Sequence, residues 1–518
     1  MQSFLQRHAS EIKGVLSGFD RMRFRGTIRW LSSVKGMGTF MGTIGLLLKH
    51  FNDWVKARTE RIRRATERLA ADANRRVMYL SSSQLSKEET ALEIAAQDGI
   101  TRGLIAVLSC VEPCHSFRVG PNRQQRLLEL RYGPMKCLHY YFYLLDERLG
   151  LTHLRLQTWA PFTIHVGFNG REWLARQLAA EGIGFEQRDN CFVDVADPQR
   201  AQALLNEQLR TNWKRLLNDL LTQLHPAHKT LFGQRPLDYY WSAEETEVAT
   251  DILFNSRESL ARQYPRWLRQ AITTFGSGDV LRFLGQCPKV RYCKTAEITT
   301  ALKTRPEGVC VKHARNRNSV KMYDKQETVL RIETTINNPR ELKALRPKAS
   351  EPKKRKCWQR LRKGVADLHR RAKLSQQSNE RYLEALATVD QSASLAETVR
   401  PLCQRTRWKG RPVRGLQPLK SDDSQLLAAI SRAEFLITGF RNGDLRPLLF
   451  GTVGVSRDEA RRQSTKITRL IRMLRAHGLI RKIPQTHRYR LTPNGQIAIT
   501  ALTAAQHATI QALTKLAA

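Results

Sequence analysis

Cationic and apolar residues alternate with a period of two from Gly18 to Trp30, which predicts a strand with Arg21, Arg23, Arg25 and Arg29 on one face and a buried row on the other. The remainder of Ser3 to Ala73 reads as mostly helical, interrupted by Gly36, Gly38, Gly42 and Gly45. Arg58, Arg61, Arg63, Arg64 and Arg68, interleaved with Glu60 and Glu67 at helical spacing, read as a solvated, salt-bridged helix face. Further along, apolar or aromatic runs at 104–108, 138–145, 153–159 and 162–166 predict strands, the last two split by Ala160-Pro161. Helices are expected over 171–178, opened by Asn169-Gly170, and over 198–224. The segments 309–313, 319–324 and 329–336, joined by five- and four-residue loops, predict an antiparallel meander. From Gln359 to Ala387 the pattern suits a helix or helix pair.

Near the end of the chain, Ile467, Leu470, Ile471 and Leu474 form one apolar stripe on a helix expected from Asp458 to Ala476. Arg461, Arg462, Gln463, Thr465, Lys466, Arg469 and Arg472 are left to its other faces. Two short strands, 479–483 and 488–492, follow around the turn Pro484-Gln485-Thr486-His487. The predicted fold is therefore α+β and multidomain: a mixed or antiparallel sheet body with helical segments and a C-terminal winged helix. The expected divisions are a helical N-terminal region with a basic strand (1–78), an α/β domain (79–235), an α+β domain ending in the meander (236–342), a basic helical linker region (343–424) and the winged helix (425–518).

Charge gives these elements a partner. The 518 residues carry 87 Lys+Arg against 47 Asp+Glu, a formal charge of +40, yet 41% are hydrophobic, so this is a folded polycation whose natural complement is a polyanion. The excess is concentrated late: residues 340–420 hold 22 Lys+Arg against 7 Asp+Glu, and residues 431–518 hold 15 against 4. Lys353, Lys354, Arg355 and Lys356 form one block, and Arg407 and Lys409 sit in another beside Trp408. Trp358 and Trp408 offer rings for stacking. The longest apolar run, Met41 to Leu48, is far below the roughly 20 residues of a membrane span, and the N-terminus lacks the apolar core of an export signal. A cytoplasmic protein with no membrane partner is expected, its nine scattered cysteines reduced.

Leu474 to Thr492, reading Leu-Arg-Ala-His-Gly-Leu-Ile-Arg-Lys and then His-Arg-Tyr-Arg-Leu-Thr, resembles the winged-helix DNA-binding domains of bacterial regulators. The resemblance implies a recognition helix bearing Arg461, Arg462, Gln463, Lys466 and Arg469, with Arg488 and Arg490 on the wing. Arg21, Arg23, Arg25, Lys321 and Lys325 are further candidates for the phosphate backbone.

Three readings address chemistry. Lys321-Met322-Tyr323-Asp324-Lys325 followed by Arg331-Ile332-Glu333 resembles the Tyr-Asp-Lys and Arg-x-Glu strand pair of rolling-circle replication initiators. That likeness implies Tyr323 as nucleophile and Asp324 or Glu333 as ligand to Mg or Mn, although the His-hydrophobic-His pair of those enzymes is missing; the same residues also suit ordinary strand positions. Cys110, Cys114, Cys137 and His139 form a candidate zinc set, with Glu112 beside it, but the Cys-x3-Cys and Cys-x-His spacings suit buried thiols in strands better than zinc. Arg362-x6-His369 and Gly36-x-Gly38 are too loose to carry a ribonuclease or dinucleotide site, and no Walker loop occurs. Stretches at 111–114, 136–140 and 169–174 are similar to an uncharacterised bacterial family that supplies no activity. Three functions stay open: a DNA-binding protein of a mobile element or replicon with tyrosine-dependent nicking or transposase-like activity, a non-enzymatic winged-helix regulator, and a protein that grips structured RNA.

Overall fold

The computed structural model describes residues 1–233, 237–286, 297–306, 308–346, 357–387, 395–432, 435, 439–451, 456–484 and 486–507. The basic block Lys353, Lys354, Arg355 and Lys356 lies outside them. Two compact units result, one of residues 8–265 and 299–380, the other of residues 1–7, 266–298 and 381–518.

The larger unit is built on one sheet. Its strands are β1 (Ile12–Ile28), β2 (Val77–Tyr79), β3 (Gly103–Asn122), β4 (Leu127–Asp146), β5 (Gly150–Gln157) and β6 (Ile164–Asn169), and then, beyond the separate hairpin β7 (Phe185–Arg188) and β8 (Cys191–Val195), β9 (Tyr239–Phe254), β10 (Thr299–Arg305), β11 (Gly308–Arg315), β12 (Asn318–Lys325) and β13 (Val329–Ile336). The order is β10-β11-β12-β13-β9-β1-β6-β5-β4-β3-β2. Only the edge pair β2 and β3 is parallel, which makes the sheet mixed. The alternation read in Gly18–Trp30 belongs to β1, the sheet's centre, paired with β6 on one side and β9 on the other. Strands from the segments 1–78, 79–235 and 236–342 thus share one sheet, instead of belonging to three separate domains.

One sheet face is apolar. Phe24, Phe142, Leu154, Leu156, Val166 and Phe168 pack there with Val55 and Ile62 of the helix Phe51–Asp72 and with Trp213, Leu217 and Leu221 of the helix Trp213–Leu224. On the former helix Glu60 pairs with Arg63 and Arg64, and Glu67 with Arg63, giving the expected salt-bridged face. The meander is β11 to β13, closely matching its expected bounds.

Within residues 343–424 the helix Leu368–Leu386 falls inside the expected 359–387, but a hairpin precedes it. Lys343–Arg346 pairs with Cys357–Arg360 as a hairpin, and the helix begins only at Leu368. That helix is tied to the sheet by polar groups: buried Arg371 donates to Ala243 O and Thr246 Oγ1, and Asn379 Nδ2 donates to Val248 O. Its arginine and asparagine satisfy strand carbonyls, so they cannot also face a nucleic acid.

In the other unit, helices Ser421–Ile430, Asn442–Phe450 and Arg457–Ala476 precede a hairpin of Ile480–Lys482 and Tyr489–Leu491, and the helix Pro493–His507 follows. Phe440 pairs with Tyr489 as a third strand-like contact of the hairpin. Ile467, Ile471 and Leu474 are buried with Leu426, Leu445 and Ile480, and Leu470 packs beside them. Ser456 caps the long helix by accepting from Glu459 N at 3.3 Å. Among the described residues no helix is long and apolar enough to cross a membrane.

Burial leaves several imidazoles neutral. Desolvation lowers His225 to about 3, with a smaller contribution from His228, and lowers His153 to about 4. An unfolded histidine titrates near 6.5, so the unfolded chain takes up protons first as pH falls, and stability present above pH 6.5 is lost progressively toward pH 3. At pH 5 His225 alone accounts for about 2 kcal/mol of that loss. The expected result is a smaller drop in unfolding midpoint between pH 7 and pH 5 for His225→Gln than for the parent; equal drops would refute the assignment.

Candidate functional site

The sheet face opposite the apolar one is lined with polar and ionisable side chains. Residues opposite one another in register share a face, and the rows Glu112–Cys137, Tyr141–Arg155, Arg155–His165 and His165–Arg25 place these side chains together across β3, β4, β5, β6 and β1. They form a connected chain. Lys87 Nζ lies 3.0 Å from Glu112 Oε1, and Tyr141 Oη and Arg155 Nη2 donate to Glu112 Oε2 at 2.5 and 2.9 Å. Arg155 Nη1 is 3.5 Å from His165 Nδ1, and His165 Nε2 is 3.3 Å from Glu244 Oε2, whose other oxygen receives Arg25. Burial opposes ionisation of Glu112, yet the donors Tyr141, Lys87 and Arg155 hold it below the usual carboxylate range. The His165 hydrogen bond, with Arg25 nearby, brings Glu244 to about 2.

Toward β13 the same sheet holds a denser cluster. Arg331, 1% exposed, donates to Asp251 through Nε and Nη2 at 2.6 and 2.9 Å and to Asp20 at 3.2 Å, and Arg171 lies 3.0 Å from Asp251. Lys321 Nζ bridges Glu333 and Glu247 at 2.5 and 3.2 Å. Carboxylate oxygens of Asp20, Glu247 and Glu333 lie within 4.8 Å of one another. They are a conceivable Mg or Mn set by size alone, but Lys321 and Arg331 already supply the compensating charge.

The expected catalytic residues divide across this cluster. Tyr323 and Glu333 share the face, since Lys321 is opposite Glu333 and Tyr323 opposite Arg331. Asp324 points to the other side, where burial raises its pKa. Tyr323 is only 6% exposed, and burial together with the Glu333 charge pushes its hydroxyl up, the opposite of the activation a nucleophile requires. Lys321 is held by two glutamates, and Lys325 donates to Asn190, so neither is free for phosphate.

The cysteine and histidine set assembles in part. Cys114 Sγ lies 3.2 Å from Cys137 Sγ, and Cys137 Sγ lies 4.0 Å from His139 Nδ1. Cys110, by contrast, is buried in the apolar group of Ala91, Ala95, Tyr141 and Tyr143, so it does not join them.

The basic strand is locally compensated. Arg23 pairs with Glu245 at 2.6 Å and Arg25 with Glu244 at 3.3 Å, while Glu247 is the strongest charge acting on exposed Arg21. Near the end of β1, Arg29 stacks 3.8 Å over the Tyr240 ring, and both line a cavity of about 1260 Å³ walled also by Trp30, Arg210, Lys214 and Arg362. Trp30 is 52% exposed.

In the C-terminal unit, Arg461, Arg462, Lys466, Arg469 and Arg472 are exposed along the helix Arg457–Ala476. Gln463 turns inward, 8% exposed, and donates to Glu459, so it leaves the exposed row. Arg488 is occupied in holding the hairpin, donating to Gly439 O at 2.7 Å, whereas Arg490 is exposed. Arg407 and Lys409 are exposed on a second hairpin, and Arg475 covers the Trp408 ring at 5.1 Å. Trp358 is 67% exposed.

Arg155, His165, Glu244, Asp20 and Asp251 carried no motif in the sequence, and Arg331 stood there only as the first residue of the Arg-x-Glu pattern. The signal was the phase of alternation: His153, Arg155 and Gln157 occupy one face of β5 while Leu154 and Leu156 occupy the other.

No protein-family model, no curated protein and no solved structure matches this chain.

Proposed function

We propose that this is a duplex-DNA-binding protein whose C-terminal unit acts as a winged helix, with Arg461, Arg462, Lys466, Arg469 and Arg472 facing the DNA. The observation that carries the reading is the row of exposed cations on the helix Arg457–Ala476, immediately before a short antiparallel hairpin. A recognition helix needs that placement, and Arg and Lys there meet both phosphates and guanine edges. Nicking by Tyr323 is left out, because its hydroxyl is buried and its proton held more tightly than in a free tyrosine. Fluorescence anisotropy of the full chain against duplex DNA, single-stranded DNA and structured RNA tests the assignment. Duplex DNA should bind tightest; preference for structured RNA would overturn it.

A second reading is favoured by the cavity beside Trp30. Guanidinium groups and exposed aromatic rings around such a volume suit an unpaired base and its phosphates. Trp30→Ala is expected to weaken single-strand binding by roughly 1–3 kcal/mol and leave duplex binding unchanged, as read by competition anisotropy. Unaltered single-strand affinity would remove the cavity from the account.

A further inference from the structure

We infer that Cys114, Cys137 and His139 bind a zinc ion, with a fourth coordination position left for water. One ligand atom from each residue lies within 4.8 Å of the others, which brings together the soft donors that zinc selects. Tetrahedral zinc with Zn–S bonds of about 2.3 Å needs sulfurs nearly 4 Å apart, so the present 3.2 Å separation opens by less than ~1 Å on binding. His139 is fully buried. Its Nδ1 lies 3.1 Å from Cys137 O, and its Nε2 is buried without a hydrogen-bond partner, an arrangement that leaves one lone pair of a neutral ring unused. Its Nδ1 also lies 4.0 Å from Cys137 Sγ, so this is the ring nitrogen placed toward the sulfurs.

Strand geometry separates this site from a disulfide. Cys114 is opposite Met135, and Cys137 is opposite Glu112, so the two cysteines are diagonal neighbours in the antiparallel pair. Diagonal positions sit roughly 7–8 Å apart between Cα atoms, beyond the span of about 4.4–6.8 Å that a disulfide accepts. Cys137 and His139, two residues apart on β4, face the same side, and Cys114 reaches them from β3. Three protein ligands with one partly exposed cysteine make an open site of the kind that keeps a water on zinc. Glu112, directly opposite Cys137 in register, places a carboxylate of the polar chain beside this site. On binding, the thiols release their protons to solvent and zinc takes two thiolate sulfurs and one imidazole nitrogen.

Full-length protein purified without chelator and dialysed against zinc should retain one equivalent that depends on these residues. Replacing zinc with Co(II) should give a thiolate-to-cobalt band in the near ultraviolet. Cys114→Ser, at a partly exposed position, should weaken binding at least tenfold, and Cys114→Ser/Cys137→Ser should abolish the band, while Cys110→Ser keeps it. The cobalt spectrum of the unsubstituted protein decides the question even if the double variant folds poorly. A missing band in that protein, an undiminished band in folded Cys114→Ser, or a Cys114–Cys137 disulfide in freshly purified material would overturn the assignment.

Discussion

Arg331→Met is expected to destabilise the larger unit by about 3–5 kcal/mol, the range for removing one partner of a buried ion pair. Arg331 spans Asp20 and Asp251, both buried, and also donates to Asn190 O at 2.7 Å. Methionine fills much of the same volume but leaves Asp20 without its cation, while Asp251 keeps Arg171. The loss should therefore be larger at pH 7 than at pH 4. Burial already holds the Asp20 carboxyl above its unfolded value, with Arg331 the main charge opposing that shift; removing Arg331 raises it further, and stability falls as pH rises through the widened window. Adding Asp20→Asn should recover part of the loss, so the double variant unfolds at a higher denaturant concentration than Arg331→Met alone. A change below about 1 kcal/mol, or no recovery, would show that the cluster does not hold β1, β9 and β13 together.

The second large effect concerns DNA. Arg462→Ala/Lys466→Ala should lower duplex affinity on the order of tenfold to hundredfold at low salt, and should flatten the plot of log affinity against log salt by about 1.8, since each phosphate contact contributes roughly 0.9. Both side chains are exposed on the helix, so circular dichroism and unfolding midpoint should match the parent. Gln463→Ala provides the contrast: its buried side chain packs within the unit, and the expected cost falls on stability instead of on base readout.

The elements legible in the sequence were those whose determinants are local. The meander declared itself by alternation between short turns, and the 457–476 helix by its apolar stripe; the turns are two and three residues long, shorter than the expected five and four. Long-range pairing was not legible. Arg23 and Arg25 read as a free basic face because their partners, Glu245 and Glu244, lie 222 and 219 residues away. The outer halves of β3 and β4 escaped because exposed polar positions such as Glu129, Arg131 and Lys136 replace the apolar run that marks a buried strand. Arg371 and Asn379 resembled linker polarity, yet each satisfies buried strand groups, and sequence alone cannot distinguish a buried hydrogen-bonded arginine from a solvated one. Of the four cysteine and histidine residues read as one set, the structure brings Cys114, Cys137 and His139 together. Cys110 shares their face of β3 but is enclosed by the apolar group beneath the helix Lys87–Gln97.

The central claim, that the positive charge of the C-terminal unit serves duplex DNA, is most directly tested by measuring affinity of the full chain for a duplex across a salt series. The account predicts a linear fall of log affinity with log salt, at a slope of about −4 to −5 if Arg461, Arg462, Lys466, Arg469 and Arg472 all meet phosphates. A slope near zero, or no duplex binding at low salt, would contradict it.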